Sequence, residues 1–347
     1  MNDNIDVMDS NVDERVESTL ESSDELMAVL FKNKEVDPSL IGKPVIEFKN
    51  VVKIYDHKKV LDNLTLTVNK GDIYGFVGEN GAGKSTAMRV LAGLISINDG
   101  EFIINGISSN DPKISDARKN VGAIIESPAL FLGFNAYDNL KMNLILSGQE
   151  PDKNRIEAIL KGVGLADQIN SKKKAGNFSL GMRQRLGIAM AFVNDVDILI
   201  LDEPINGLDP KGIIEIRNLI LDLHKHGATI FISSHILSEL SLIATRYGFI
   251  SHGKVIKELS SEELMEVTKK KTVIKTNDNT KALSILESLN ITASINGDSI
   301  EITSDFEVSK AITELAKESV IVNDMKTVNG SIEDFYMEII NGGKANE

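Results

Sequence analysis

The 347-residue chain contains no cysteine, which excludes a disulfide framework and a thiolate metal site and removes any pointer to an oxidising compartment. It also lacks a long apolar run. The strongest stretches, residues 188–193 and 198–201, fall well short of the roughly 18 apolar residues that a membrane-crossing helix needs. Positive charge is in deficit, with 38 Lys and Arg against 51 Asp and Glu and a net charge of −13. Broad binding to nucleic-acid phosphates is therefore not expected, and the lysines at 172–174 read as a solvated loop. The opening MNDNIDVMDS is acidic and does not have the basic-then-apolar order of a signal peptide. Together these absences predict a cytoplasmic protein that relies on other chains for any membrane span.

What is present points to two domains and a tail, because the length exceeds a usual single domain and 42% of residues are hydrophobic. Residues 1–43 form an acidic leader rich in Asp, Glu, Ser and Asn, with one apolar stretch, LMAVLF, that has room for a short helix. From Val45 the pattern changes to β-like runs, VIEFKNVVKIY, LTLTV and DIYGFVG. Helical and strand patterns then alternate as far as TIFISS, which predicts βαβ units and a mainly parallel, helix-covered sheet over 44–265, closed by a charged helix near residues 262–271. Residues 270–341 spell strand, helix, strand, strand, helix, strand, the ferredoxin-like order. A last helix starts at the expected cap Ser331, and 342–347 are tail. The fold class expected is thus α/β for the main body, with a small α+β domain behind it.

GENGAGKST fills residues 78–86: Gly78, Glu79, Asn80, Gly81, Ala82, Gly83, Lys84, Ser85 and Thr86. It follows an apolar strand and opens a helix, which is the context that the pattern G-x-x-x-x-G-K-[ST] requires. Glycines let successive N–H groups curl toward phosphate oxygens, Lys84 adds positive charge near the β- and γ-phosphates, and Ser85 offers a hydroxyl to Mg²⁺. At average residue usage such a pattern arises by chance in about one chain in a hundred, before the strand and helix are demanded. A nucleoside triphosphate is the implied ligand.

DVDILILDEP places two acids at the end of a buried strand. Asp202 is expected to approach Mg²⁺, and Glu203 to polarise an attacking water as general base. His235 ends another apolar strand, TIFISSH, which brings it to the same crevice with a ring nitrogen for the γ-phosphate; Ser234 or the next helix is the structural alternative partner. In FSLGMRQRL, Ser179 is a good N-cap for a helix whose amide-rich, positive end would attract an anion, although no phosphate-grasping loop adjoins it in sequence.

Taken in order, these motifs resemble the nucleotide-binding subunit of ABC transporters over about residues 45–265. The resemblance implies adenine stacking by Tyr55 in KIYD, Walker A at 78–86, the signature at 179–182, Walker B at 198–203, the D-loop at Leu208 and Asp209, and a switch histidine at His235. It implies ATP and Mg²⁺ as cofactors and a head-to-tail homodimer, in which Ser179, Gly181 and Asp209 act in trans on the partner's ATP. It further implies separate transmembrane permease subunits, so that the chain would sit on the inner face of the cell membrane. Phe178, Leu180 and Met182 depart from the family's usual LSGGQ but spare Ser179 and Gly181.

Where the family normally has a glutamine, IIESPALF has Glu126, a carboxylate able to touch Mg²⁺. ESPALF with NAYDNL resembles exporters for bacitracin resistance or lantibiotic self-immunity, and SIEDFYMEII resembles the ends of drug-export ATPases. The alternative weighed is a soluble ABC-type ATPase acting on nucleic acid or ribosomes; the spacing from Lys84 to Asp202 leaves no room for a long coiled coil, and there is one cassette rather than two. For residues 270–341 a dimer-bracing or docking role is preferred to binding of a regulatory ligand.

Overall fold

A computed structural model of the chain describes residues 38–269, 271–328 and 332–343. Residues 1–37 of the acidic leader, including LMAVLF, the cap Ser331 and residues 344–347 lie outside them. The chain divides into two compact units, one running to Glu258 and one starting at Leu259, a few residues ahead of the 265 boundary that the sequence suggests.

The first unit opens with a hairpin of β1 (Pro44–Tyr55) and β2 (Lys58–Asn69). Asp56 and His57 make its two-residue turn, with φ of 45° and 65°, the left-handed pair that matches strand twist. β3 (Ile73–Val77) is buried at all five residues. α1 (Lys84–Leu91) follows, then β4 (Asp99–Ile104), β5 (Ile107–Ser108), α2 (Ile114–Arg118) and β6 (Val121–Ile124). Next come α3 (Ala136–Leu146), α4 (Lys153–Gly162) and α5 (Leu180–Phe192). β7 (Ile198–Asp202), α6 (Pro210–Lys225), β8 (Thr229–Ser234), the one-turn α7 (Leu237–Leu240), β9 (Arg246–Ser251) and β10 (Lys254–Ser260) complete the series.

Two sheets result. β2-β1-β4-β5 is antiparallel, whereas in β10-β9-β3-β8-β7-β6 the five strands from β9 to β6 run parallel. The early β-like runs thus build an antiparallel sheet of their own, with the parallel core beside it. β3, β7 and β8 are buried at every position, as befits strands covered on both faces, and this is why they read as unbroken apolar runs. Phe76 and Phe231 meet across β3 and β8 with centroids 5.2 Å apart. Their burial contributes roughly 1.5–3 kcal/mol each.

The first helix of the second unit is α8 (Ser261–Val267), whose capping box joins Glu263 N–H to Ser260 Oγ at 3.2 Å and Ser260 N–H to Glu263 Oε2 at 2.7 Å. β11 (Lys271–Thr276), α9 (Asn279–Ser288), β12 (Ala293–Asn296), β13 (Ser299–Ile302), α10 (Val308–Lys317) and β14 (Val322–Val328) follow, then α11 (Ile332–Gly343). The sheet order is β12-β13-β11-β14, antiparallel throughout. Ile274, Ile300 and Ile302 from the strands join Leu286 and Leu315 from α9 and α10 in one core. Among the described residues no helix is long and apolar enough to cross a membrane.

Candidate functional site

β3 ends at Val77, and the chain turns at once. At Gly78 a Cβ would stand 2.6 Å from the Ile250 carbonyl oxygen, and Gly83 has φ 115° with a Cβ position 2.9 Å from the Val60 carbonyl oxygen. Neither place admits another residue. α1 begins directly after Gly83 without a side-chain cap, so its first amide groups are left for an anion. Lys84 folds back over the loop: Nζ donates to the Gly78 carbonyl at 2.6 Å and the Glu79 carbonyl at 3.3 Å, and the side chain is buried. Ser85 is half-buried and Thr86 buried in the first turn of α1.

The other strand ends arrive at the same edge through register. β7 and β8 pair Asp202 with Ser233, and β3 and β8 pair Val77 with Ser234. Asp202 is 3% exposed, and its Oδ1 accepts the Ser233 hydroxyl at 2.6 Å. Glu203 takes φ 51°, in the left-handed region. Oε2 of Glu203 bonds His235 Nδ1 at 2.6 Å and accepts the His235 backbone N–H at 3.3 Å, and Oε1 lies 3.7 Å from Lys84 Nζ. Glu203 therefore sits between an ammonium and an imidazole. Ser234, the alternative partner for His235, instead accepts the Ile236 N–H at 2.9 Å.

Tyr55 ends β1 and is 39% exposed, with Lys53 Nζ 4.9 Å from its ring centroid. Its register partner, Lys58, lines a cleft of about 230 Å³ together with Glu79, Asn80, Gly81 and His252. Tyr55 is thus paired in register with a residue of that cleft.

Among the described residues no three His, Asp or Glu side chains gather as a metal cage. Asp202 and Ser85 would suit a sparser kind of metal site. Asp202 has committed one oxygen to Ser233, Ser85 adds a hydroxyl, and this sparse all-oxygen set is how Mg²⁺ is usually held beside phosphates.

Ser179 caps α5 by accepting the Met182 N–H at 3.3 Å and is solvent-exposed; Gly181 is partly exposed. The atom nearest a Cβ on Gly181 is Leu208 Cδ2 at 3.8 Å, so the loop before α6 lies against the first turn of α5. Asp209 caps α6, with Gly212 N–H on its Oδ1 at 3.0 Å, and is exposed as well. The unusual residues around Ser179 divide: Phe178 is buried, whereas Leu180 is 45% exposed.

Glu126 is exposed, has φ 65°, and occupies a tight turn in which Ser127 N–H reaches the Ile125 carbonyl at 2.8 Å. Its carboxylate forms an ion pair with Arg89 of α1. Sequence reasoning passed over Arg89 and Ser233. Nothing local marks Arg89, but counting back from His235 along TIFISSH places Ser233 level with the strand end that carries Asp202. In the second unit a groove of about 420 Å³ runs between α9 and α10. Its lysine, Lys281, is already committed to Glu318, 2.7 Å from the carbonyl oxygen and 3.4 Å from Oε2.

The family model "ABC transporter" matches residues 61–206. The bacitracin transport ATP-binding protein of Bacillus licheniformis is 38% identical over 304 residues, spanning 86% of this chain and 98% of that protein. The lantibiotic transport ATP-binding protein of Streptococcus pyogenes is 42% identical over 224 residues, 64% of this chain and 94% of that protein. Among solved structures, an ATP-binding subunit of an ABC transporter superposes with TM-score 0.57 at 26% identity, covering 64% of this chain and 92% of its own. A dimeric ATP-binding cassette in a post-hydrolysis state with ADP and Pi gives TM-score 0.56 at 26% identity, covering 62% and 98%.

Proposed function

Because the chain belongs to the ATP-binding subunits of ABC transporters, a family of ATP-hydrolysing cassettes, we propose that it powers efflux of a peptide antibiotic through a separate transmembrane permease. The observation that carries the enzymatic part is the meeting of Lys84, Glu203 and His235 at the strand ends beside an uncapped, glycine-lined helix start.

In this reading the loop amides and Lys84 bind the phosphates, and Tyr55 stacks on adenine. Ser85 and Asp202 would hold Mg²⁺, with Glu126 a further candidate; the ion would neutralise phosphate charge. Glu203 takes a proton from the attacking water, and His235 orients Glu203 and the γ-phosphate. The exposed donors at Ser179 and Gly181, with Asp209 beside them, complete the pocket of a second copy, so that two ATP molecules close a homodimer and hydrolysis reopens it.

The substrate class rests on the bacitracin and lantibiotic transport relatives and on the segment around Glu126. The place of work follows as the cytoplasmic face of the membrane, reached through the permease. Expression of the chain with a permease encoded beside it should raise the bacitracin or lantibiotic concentration needed to stop growth, and Glu203→Gln should abolish the gain. Unchanged sensitivity to both peptides would refute the substrate reading.

A further inference from the structure

The buried hydroxyl of Ser233 is bonded to both members of the acid pair at once. Its Oγ donates to Asp202 Oδ1 at 2.6 Å and accepts the backbone N–H of Glu203 at 3.0 Å. The backbone N–H of Glu203 can only donate, so the Ser233 oxygen accepts it and the single hydroxyl proton goes to Asp202. Ser233 has no exposed surface, and it stands in β8 directly level with Asp202 of β7.

We infer that Ser233 is a positioning residue for ATP hydrolysis: its hydroxyl turns the Asp202 carboxylate toward the cation and pins the backbone of Glu203 so that the general base meets the γ-phosphate site. The inference rests on the ATPase reading of Asp202 and Glu203 given above. Two details make the bridge more than a satisfied buried polar group. It ties one oxygen of Asp202, leaving the other for a hard cation. It also holds the amide of a non-glycine residue with φ 51°, a conformation that persists only when the surroundings enforce it. Without the bridge the peptide at Glu203 can relax, and the carboxylate loses its aim at Lys84 and His235.

The test compares Ser233→Ala with Ser233→Thr, which keeps the hydroxyl. For Ser233→Ala, kcat should fall roughly tenfold to a hundredfold, the effect of leaving a buried donor and acceptor without partners. KM for ATP should hold, and the Mg²⁺ concentration for half-maximal rate should rise. ATP binding in EDTA should equal that of the wild type, which also certifies the fold. Ser233→Thr should restore kcat and the Mg²⁺ requirement. A readout that needs neither nucleotide nor metal is hydrogen exchange at the Glu203 amide, slow in the wild type and Ser233→Thr and fast in Ser233→Ala.

Wild-type kcat and Mg²⁺ dependence in Ser233→Ala would overturn the inference. So would a parallel loss of EDTA-insensitive ATP binding, which would mark Ser233 as general support of the fold. A wild-type chain that hydrolyses no ATP would defeat the underlying reading instead, and the exchange experiment would still decide whether Ser233 holds Glu203.

Discussion

Lys84 Nζ and Glu203 Oε1 stand 3.7 Å apart although 118 residues separate them, and the lysine is simultaneously held by the carbonyls of Gly78 and Glu79. In the proposed mechanism the lysine assigned to phosphate is thus aimed by the loop that would cradle the phosphate, and the proposed base stands beside that lysine. Lys84→Ala should remove charge-assisted hydrogen bonds and weaken ATP binding roughly tenfold to a hundredfold. Isothermal titration with ATP measures this; affinity unchanged from wild type would contradict the role of Lys84.

Glu203→Gln keeps the size of the side chain and a carbonyl oxygen facing His235 but removes the proposed base. Hydrolysis should slow by ~10²–10⁴ while ATP still binds. The variant should therefore elute as a long-lived dimer on size-exclusion chromatography with ATP. A monomer under those conditions would count against hydrolysis-driven opening.

Ser179→Ala separates the cap from the fold. Loss of an N-cap destabilises by about 1 kcal/mol, a modest shift in urea midpoint, because Ser179 is exposed and joins no core. ATP binding by a single copy should be preserved, whereas ATP-driven dimerisation and turnover should collapse. If turnover were unaffected, a pocket shared between two copies would be excluded.

Glu126→Gln should free Arg89 from its ion pair. As an exposed pair it adds at most about 1 kcal/mol to stability, so the melting temperature should barely move. The permease-stimulated part of ATP turnover should change instead, and the ratio of stimulated to basal rate is the quantity to measure.

Alkaline stability offers a check on the core. Burial pushes the Tyr247 phenol up to about 12 and the Tyr74 phenol well above its usual value. An unfolded tyrosine ionises near pH ~10, so the folded chain keeps these protons longer than the unfolded one. Their stabilisation is complete below pH ~10 and is lost as pH rises from there toward and past the raised values. Tyr247→Phe should flatten the fall in urea midpoint between pH 10 and 12, and absorbance at 295 nm should show two phenols ionising late.

Alternation of strand and helix patterns made the parallel core legible, and the motif spacing brought the phosphate loop, both acids and His235 to one edge. The strand–helix order of the second unit could be read as well. The antiparallel sheet built from β1, β2, β4 and β5 could not, since β-propensity tells a strand from a helix but does not name its neighbour. The Ser233 bridge and the Arg89–Glu126 pair span 31 and 37 residues, and each depends on strand register or a turn at positive φ, which composition does not encode. The sequence did expose Phe178 and Leu180 as departures, but not that one is internal and the other faces outward.

The left-handed backbone at Glu203 restricts which experiments can isolate its chemistry. Truncation to alanine or glycine would alter conformational freedom together with the carboxylate, and a slow enzyme would then have two explanations. A same-shape amide leaves the torsions as they are, so the rate deficit can be assigned to one missing proton acceptor.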